Sequence, residues 1–232
     1  MTAPSVDEEP GPRAVWVVGA SRGIGATLAD ALEEDQAVVR VSRSDGYDFT
    51  DEATVRSMLA REGAPRAWVH TPGDFFEKSL LETTNSDWAH LIESNLMSFM
   101  RAARSILPAM ASQRVGSVVL FGVAGVSTRI AKTRGPAYFA VKAALVEAMR
   151  TLALEYASHG VRVNMVSPGA IVHAHSHRES QERIARRVPA GRLGLPVDLV
   201  GLVRFLVSDA SSYVTGQEIC VDGGLAIANA PF

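Results

Sequence analysis

The sequence predicts a doubly wound α/β fold: one parallel sheet of about seven strands with helices on both faces. Three observations carry this prediction. Short strand-like runs recur at residues 14–18, 67–71, 117–121 and 161–166, and the first is continuously apolar, the mark of a strand buried on both faces. Helix-like stretches separate them, and strands alternating with helices build a parallel sheet. The first run leads straight into the glycine cluster Gly19, Gly23 and Gly25 and then a helical stretch at 26–34. Strand, glycine-rich turn and helix together bring backbone N–H groups and the positive end of a helix dipole onto an anion.

Composition bounds what such a fold does. The chain has 232 residues, enough for a sizeable single core, and no repeat or linker divides it. Residues 1–12 carry Asp7, Glu8, Glu9 and three prolines and read as a flexible polar tail, leaving residues 13–232 as one domain. An apolar content of 47% and a net charge of −2 describe an ordinary globular chain without the basic excess of a nucleic-acid binder. No apolar run approaches the roughly 20 residues that span a bilayer. The N-terminus lacks the basic start and apolar centre of a signal peptide. The single Cys220 leaves no internal disulfide and fits a reducing compartment. A cytoplasmic location is expected, with neither nucleic acid nor membrane as partner.

Taken in order, the glycine turn has the spacing Gly-x3-Gly-x-Gly in place of the more general Gly-x-Gly-x2-Gly. A second strand, 37–42, ends at Ser42 and Arg43. An acidic residue at that strand end would bind ribose hydroxyls, whereas arginine accepts a 2′-phosphate. Arg43, with Arg22 in the glycine turn, favours NADPH over NADH, although Asp45 stands close by. A short segment at 47–49 precedes a helix at 51–62, with Thr50 as a plausible N-cap. The strand at 67–71 ends in Pro72 and Gly73, and a long amphipathic stretch, roughly 86–113, contains Asn95. After the strand at 117–121 comes an irregular basic segment, 122–135, and a helix at 136–150 with a proline just inside its start. The strand at 161–166 runs into Ser167, Pro168 and Gly169. Residues 171–194 are polar without a strong period, Pro196 opens a helix to about 208, and the last strand, 217–221, is closed by Asp222, Gly223 and Gly224.

The 136–150 helix holds the chemistry. Tyr138 and Lys142 are four residues apart, so one helical turn stacks them on the same face. A phenol beside an ammonium is suited to proton transfer, because the cation lowers the tyrosine's pKa toward working pH. A surface Tyr/Lys pair is the plainer reading, but the chain has twenty arginines and only three lysines, so a lysine here is less readily filler.

Together these motifs resemble the classical short-chain dehydrogenase/reductase family over nearly the whole chain. Its fingerprints stand in order: Gly19, Gly23, Ile24 and Gly25; Asp48 and Phe49 after the third strand; Asn95; Tyr138 and Lys142; Ser167, Pro168 and Gly169. They continue through Gly191 to Pro196 and Tyr213 to Gly216 and end with Val221, Asp222, Gly223 and Gly224. Within the family the chain is most similar to the 3-oxoacyl-carrier-protein reductase branch. The resemblance implies a Rossmann-type domain reducing the carbonyl of a small molecule with NADPH, as a homodimer or homotetramer. Tyr138 would protonate the carbonyl oxygen, Lys142 would hold the nicotinamide ribose and keep the tyrosine acidic, and Asn95 would help hold a proton-relay water. Gly19, Ser21, Arg22, Gly23, Ile24 and Gly25 would line the phosphates, Arg43 the 2′-phosphate, and Asp48 with Phe49 the adenine. His70, Thr71 and Pro72 would pass the cofactor's edge, and Pro168, Gly169 and Ile171 its nicotinamide.

Three positions depart from the family pattern. His70-Thr-Pro-Gly73 replaces Asn-Asn-Ala-Gly, and His173 replaces a threonine that contacts the carboxamide. The catalytic serine is also missing. Aligned by the preceding strand its place falls on Gly122, whereas thirteen residues before Tyr138 stands Gly125. Ser127 or Thr128 substitutes, the substrate supplies the polarising group, or catalysis has decayed. Two readings stand as alternatives to a ketoreductase: a cofactor-binding protein with little catalysis, and a reductase of conjugated rings similar to pteridine reductases. His173, His175 and His177 alternate as metal ligands on a strand would, but no carboxylate or second cluster accompanies them, and no metal is expected. Arg129, Lys132 and Arg134 read first as a solvated basic loop and second as an attractor of an acidic substrate or a carrier protein.

Overall fold

The computed structural model describes residues 13–128, 131–172 and 178–228. Six strands form one sheet: β1 (Val15–Val18), β2 (Val38–Val41), β3 (Ala67–His70), β4 (Gly116–Phe121), β5 (Val161–Pro168) and β6 (Glu218–Val221). Their order is β2-β1-β3-β4-β5-β6 and every pairing is parallel. Every residue of β1, β3 and β4 is buried, as the continuous apolar runs require of strands covered on both faces. The chain order reverses at β1, which pairs with both β2 and β3. A crevice therefore opens beyond the carboxyl ends of these strands, where open α/β sheets bind ligands.

The helices are α1 (Gly23–Leu32), α2 (Glu52–Glu62), α3 (Asn85–Ile92), α4 (Ser98–Ser112), α5 (Pro136–Tyr156), α6 (Arg178–Ala185) and α7 (Val200–Val207). On one face of the sheet Leu28 and Leu32 of α1 and Val203 and Leu206 of α7 pack on Val15, Val17, Val69 and Val119. On the other, Met58 of α2, Ile106 and Met110 of α4 and Leu145 and Met149 of α5 pack on Trp16, Trp68, Val118 and Met165. Each such side chain, fully buried, stabilises the fold by about 1.5–3 kcal/mol.

Several expectations are corrected. The sheet has six strands among the described residues, not about seven. The 47–49 segment does not pair: after a 3-10 turn at Arg43–Asp45 and a left-handed Gly46, the Tyr47 N–H returns to the Ser42 carbonyl at 3.0 Å. This carries Phe49 inward onto Trp16, ring centroids 6.1 Å apart, so side-chain burial takes the place of strand pairing. Asp51, not Thr50, caps α2, accepting from the Ala53 and Thr54 N–H groups at 3.1 and 3.0 Å. Thr50 is instead held by Asp48, whose carboxylate accepts from its N–H and hydroxyl at 2.9 and 2.7 Å. The 86–113 stretch is not one regular helix, because a π turn at Glu93–Met97 separates α3 from α4. The Tyr138 helix extends to Tyr156, and the polar stretch after β5 contains α6.

Candidate active site

The turn between β1 and α1 is shaped by what its glycines leave out. A Cβ on Gly25 would fall on the Gly19 carbonyl oxygen and lie 2.9 Å from Thr71 Oγ1, so α1 can dock on the turn only with glycine there. Gly23 has a φ of +58° and open space around its Cβ position. Arg22, at the N-cap, makes no side-chain cap, and no acidic residue occupies the first turn of α1. The first N–H groups of the helix are thus left for an external anion, with Ser21 and Arg22 exposed beside them and Ile24 packed inward. These residues fit a pyrophosphate. At the end of β2 Arg43 is exposed and makes no ion pair among the described residues, while the Asp45 carboxylate accepts from the Ser42 hydroxyl at 2.5 Å. Arg43 is thus an available cation at the end of β2, and the nearby acid is already hydrogen-bonded.

The end of β3 presents mainly backbone. Thr71 donates its hydroxyl to the Val18 carbonyl at 2.8 Å and packs with Pro72 against Gly19. The His70 imidazole turns into the core, T-shaped to Trp68 and Phe99 at 5.4 and 5.6 Å, with Nε2 3.3 Å from the Ser98 hydroxyl and Nδ1 without a partner. Burial, reinforced by the Lys142 charge, pushes its pKa down to about 3, so it is neutral.

Tyr138 and Lys142 lie on α5, which a left-handed Gly135 and Pro136 initiate. Lys142 is 3% exposed and donates Nζ to the Phe121 carbonyl at 2.8 Å, where burial brings its pKa down to about 8. Its ammonium lies 5.6 Å from the centre of the Tyr138 ring. Burial pushes Tyr138 up to about 12, opposite to the lowering expected from an adjacent cation. The ammonium is directed at the Phe121 carbonyl, and desolvation of the phenolate dominates.

Asn95 completes the group. It sits on the π turn, fully buried, and Nδ2 donates to the Asp74 and Leu91 carbonyls at 2.9 and 3.1 Å. Those two acceptors fix the amide's orientation and leave Oδ1 buried without a partner. A Cβ on Gly73 would fall on that oxygen and lie 3.2 Å from Lys142 Nζ. Gly73 therefore leaves open a space that a buried acceptor and a buried ammonium both border. π turns of this kind recur at functional sites.

A strap that sequence reasoning missed crosses this group. Phe75 stands T-shaped to Tyr138 at 5.2 Å, and Phe76 packs with Leu91, Ala137 and Val141. Arg134 pairs with Glu77, and Asp74 with His90 at 2.8 Å, tying the strap to both sides. The adjacent phenylalanines two residues after Gly73 were the available signal.

Neither serine substitute points toward Tyr138 as a free donor. Ser127 donates to the Glu218 carboxylate, which also accepts from Ser167 at 2.7 Å, and Thr128 donates to the Gly125 carbonyl at 2.7 Å. A Cβ on Gly122 would fall on Ser167 Oγ and lie 2.5 Å from Met165 Sδ. Beyond Pro168, the Gly169 N–H bonds the Val221 carbonyl at 3.0 Å, and Ile171 bridges Gly194. A cavity of about 230 Å3 lies there, lined by Gly169, Ile171, Gly194 and Asp222. His173, His175 and His177, Arg129 and the 1–12 tail lie outside the described residues. Among the described residues no three His, Cys, Asp or Glu side chains converge as a metal site, and no helix is long and apolar enough to cross a membrane.

Residues 50–226 match a family model described as enoyl-(acyl carrier protein) reductase. The chain is 32% identical over 235 residues to the 3-oxoacyl-(acyl-carrier-protein) reductases FabG of Salmonella typhimurium and of Escherichia coli, covering 90% of this chain and 95% of each relative. Among solved structures it is similar to a short-chain dehydrogenase/reductase family oxidoreductase from Burkholderia thailandensis (TM-score 0.85, 27% identity, 95% of both chains). It is also similar to a protein described as an NAD(P)-dependent gluconate 5-dehydrogenase from Beutenbergia cavernae with bound NADP (TM-score 0.83, 30% identity, 93% of this chain and 97% of that one). With this six-stranded parallel sheet and the glycine turn at its first crossover, the chain belongs to the short-chain dehydrogenase/reductase family and is a nicotinamide-dependent oxidoreductase of its FabG-like branch.

Proposed function

We propose that the protein reduces the carbonyl of a small ketone with NADPH, using Tyr138 as proton donor. The observation that carries this reading is that Lys142 Nζ and the unpartnered Asn95 Oδ1 both border the side-chain space left empty at Gly73, with Nζ 5.6 Å from the centre of the Tyr138 ring. A bound nicotinamide supplies the hydride. Tyr138, held neutral by burial, gives its proton to the carbonyl oxygen as negative charge develops there. Lys142, positively charged below about pH 8, and Asn95 Oδ1 form the path that returns a proton to the tyrosine. The N-terminus of α1 with Ser21 and Arg22 holds the pyrophosphate, and Arg43 prefers the 2′-phosphate of NADPH over the bare ribose of NADH. Backbone from Thr71 and Pro72 and the Gly169 to Ile171 loop flank the rest of the cofactor.

Glycine stands where the family's serine is expected, and the packing of Ser167 and Met165 against Gly122 supports an altered oxyanion environment. Losing one such donor typically costs ~3 kcal/mol, so a reduced turnover belongs to this reading. It also includes a cytoplasmic location and a homodimer or homotetramer, for which the 82% exposed Leu154 on α5 offers apolar surface to cover.

The test is NADPH oxidation by the purified protein across a ketone panel, with Tyr138→Phe as control. Turnover on ketones lost by a factor of about 100 or more in the variant is expected. Tight NADPH binding without turnover, indifferent to the substitution, would establish a cofactor-binding protein instead. Turnover confined to pterins would establish a ring reductase.

A further inference from the structure

The two described cations of the basic segment before α5 are placed differently. Arg134 is paired with Glu77 across the strap. Lys132 makes no hydrogen bond or ion pair among the described residues, yet it is half-buried. Its Nζ lies 5.6 Å from the centre of the Phe139 ring and 2.9 Å from where a Cβ on Gly125 would be, with the Ala226 methyl 3.7 Å from that point. The ammonium fits against the chain there because residue 125 has no side chain. The neighbouring acids are engaged elsewhere: Glu218 with Ser127 and Ser167, and Asp222 with the Gly224 and Ala226 N–H groups at 3.0 and 2.6 Å. Phe139 also touches Tyr138, ring centroids 5.9 Å apart. The Phe139 ring thus neighbours both the proton donor and an ammonium that makes no ion pair among the described residues.

We propose that Lys132 is an anion-binding point of the substrate pocket and that the preferred substrates are ketones bearing a carboxylate a few bonds from the carbonyl. This rests on the ketoreductase reading for its substrate class. Lys132 Nζ and the Tyr138 ring lie 5.6 and 5.9 Å from the same Phe139 centroid, so a carboxylate a few bonds from a carbonyl at Tyr138 is within reach of Lys132. A half-desolvated ammonium holds such an anion more strongly than a fully hydrated surface lysine does, because water competes less. The ring of Phe139 supports the charge without neutralising it. A neutral ester of the same ketone loses this contact and gains nothing in return.

The experiment compares levulinate and benzoylpropionate with their methyl esters, in wild type, Lys132→Met and Lys132→Arg. Wild type is expected to favour each acid over its ester by about tenfold or more in kcat/KM, within the range of one charge-assisted hydrogen bond. In Lys132→Met that ratio collapses toward one through a raised KM for the acid with little change in its kcat, while Lys132→Arg keeps most of it. Raising the ionic strength erodes the preference in wild type and not in Lys132→Met. An acid-to-ester ratio equal in wild type and Lys132→Met overturns the proposal. If no ketone turns over, the reductase reading fails by itself. The anion site is then read by titrating the NADPH-loaded protein with levulinate and its ester. Acid-selective binding lost in Lys132→Met upholds it, and equal binding in both proteins overturns it.

Discussion

Lys142 gives its ammonium hydrogen bond to the main-chain carbonyl of Phe121 at 2.8 Å, and not to the Tyr138 hydroxyl one turn earlier on the same helix. The sheet therefore fixes where the charge sits, because Phe121 is the last residue of β4.

This arrangement sets the pH dependence. Burial lowers Lys142 to about 8 and raises Tyr138 to about 12. As the pH rises, the lysine loses its proton first and the tyrosine keeps its own. For reduction, kcat/KM is expected to hold through neutral pH and fall on an alkaline limb centred near 8. Lys142→Met should remove the limb along with most of the activity. A limb that stays near the tyrosine's value would show that the ammonium is dispensable.

His70 should make the protein acid-sensitive in a defined window. Its folded pKa, about 3, lies below the ordinary value of 6.5. Between these values the unfolded chain holds the extra proton, so stability is lost as pH falls from about 6.5 toward 3. His70→Asn removes that term. Urea midpoints of wild type should drop more steeply than those of the variant across this window, whatever their offset at neutral pH.

Restoring a serine at position 122 should not simply restore a donor. Its Cβ would fall on Ser167 Oγ and crowd Met165, so Gly122→Ser alone is expected to destabilise by about 1–3 kcal/mol. Adding Ser167→Ala should relieve much of this, giving a non-additive pair in denaturant titrations. Additive effects would show that the two positions do not share the space.

Cofactor choice should follow Arg43. Arg43→Leu is expected to lower kcat/KM for NADPH by about tenfold to a hundredfold, the worth of a charge-assisted contact, and to change that for NADH far less. Equal losses with both cofactors would place the 2′-phosphate elsewhere.

Gly25→Ala tests the glycine turn itself. The added methyl would meet the Gly19 carbonyl oxygen, which is backbone and cannot rotate away. Both thermal stability and NADPH binding should fall, whereas an Arg43 substitution should affect binding alone.

How much was legible beforehand depends on the range of the interaction. The continuous apolar runs of β1, β3 and β4, the glycine turn, and the four-residue spacing of Tyr138 and Lys142 are local, and from them followed the doubly wound fold and the helix that bears the pair. Spacing along a helix shows that two side chains share a face. It does not show how deeply that face is buried or which carbonyl receives the charge, so the direction of the Tyr138 shift was read wrongly. The path of the 47–49 segment has the same cause, since Phe49 is buried against Trp16, thirty-three positions away in sequence. Ser127 looks free in the sequence and is committed to Glu218 only because β6 lies beside β5. The sequence by itself determined the fold class, the nicotinamide turn and the Tyr138 helix, because periodicity and backbone conformation are local. Only the tertiary structure decided that Asn95 and Lys142 border the same space at Gly73 and that Phe75 packs on Tyr138. Those contacts join segments far apart in the chain, and packing and desolvation between them have no counterpart in residue spacing.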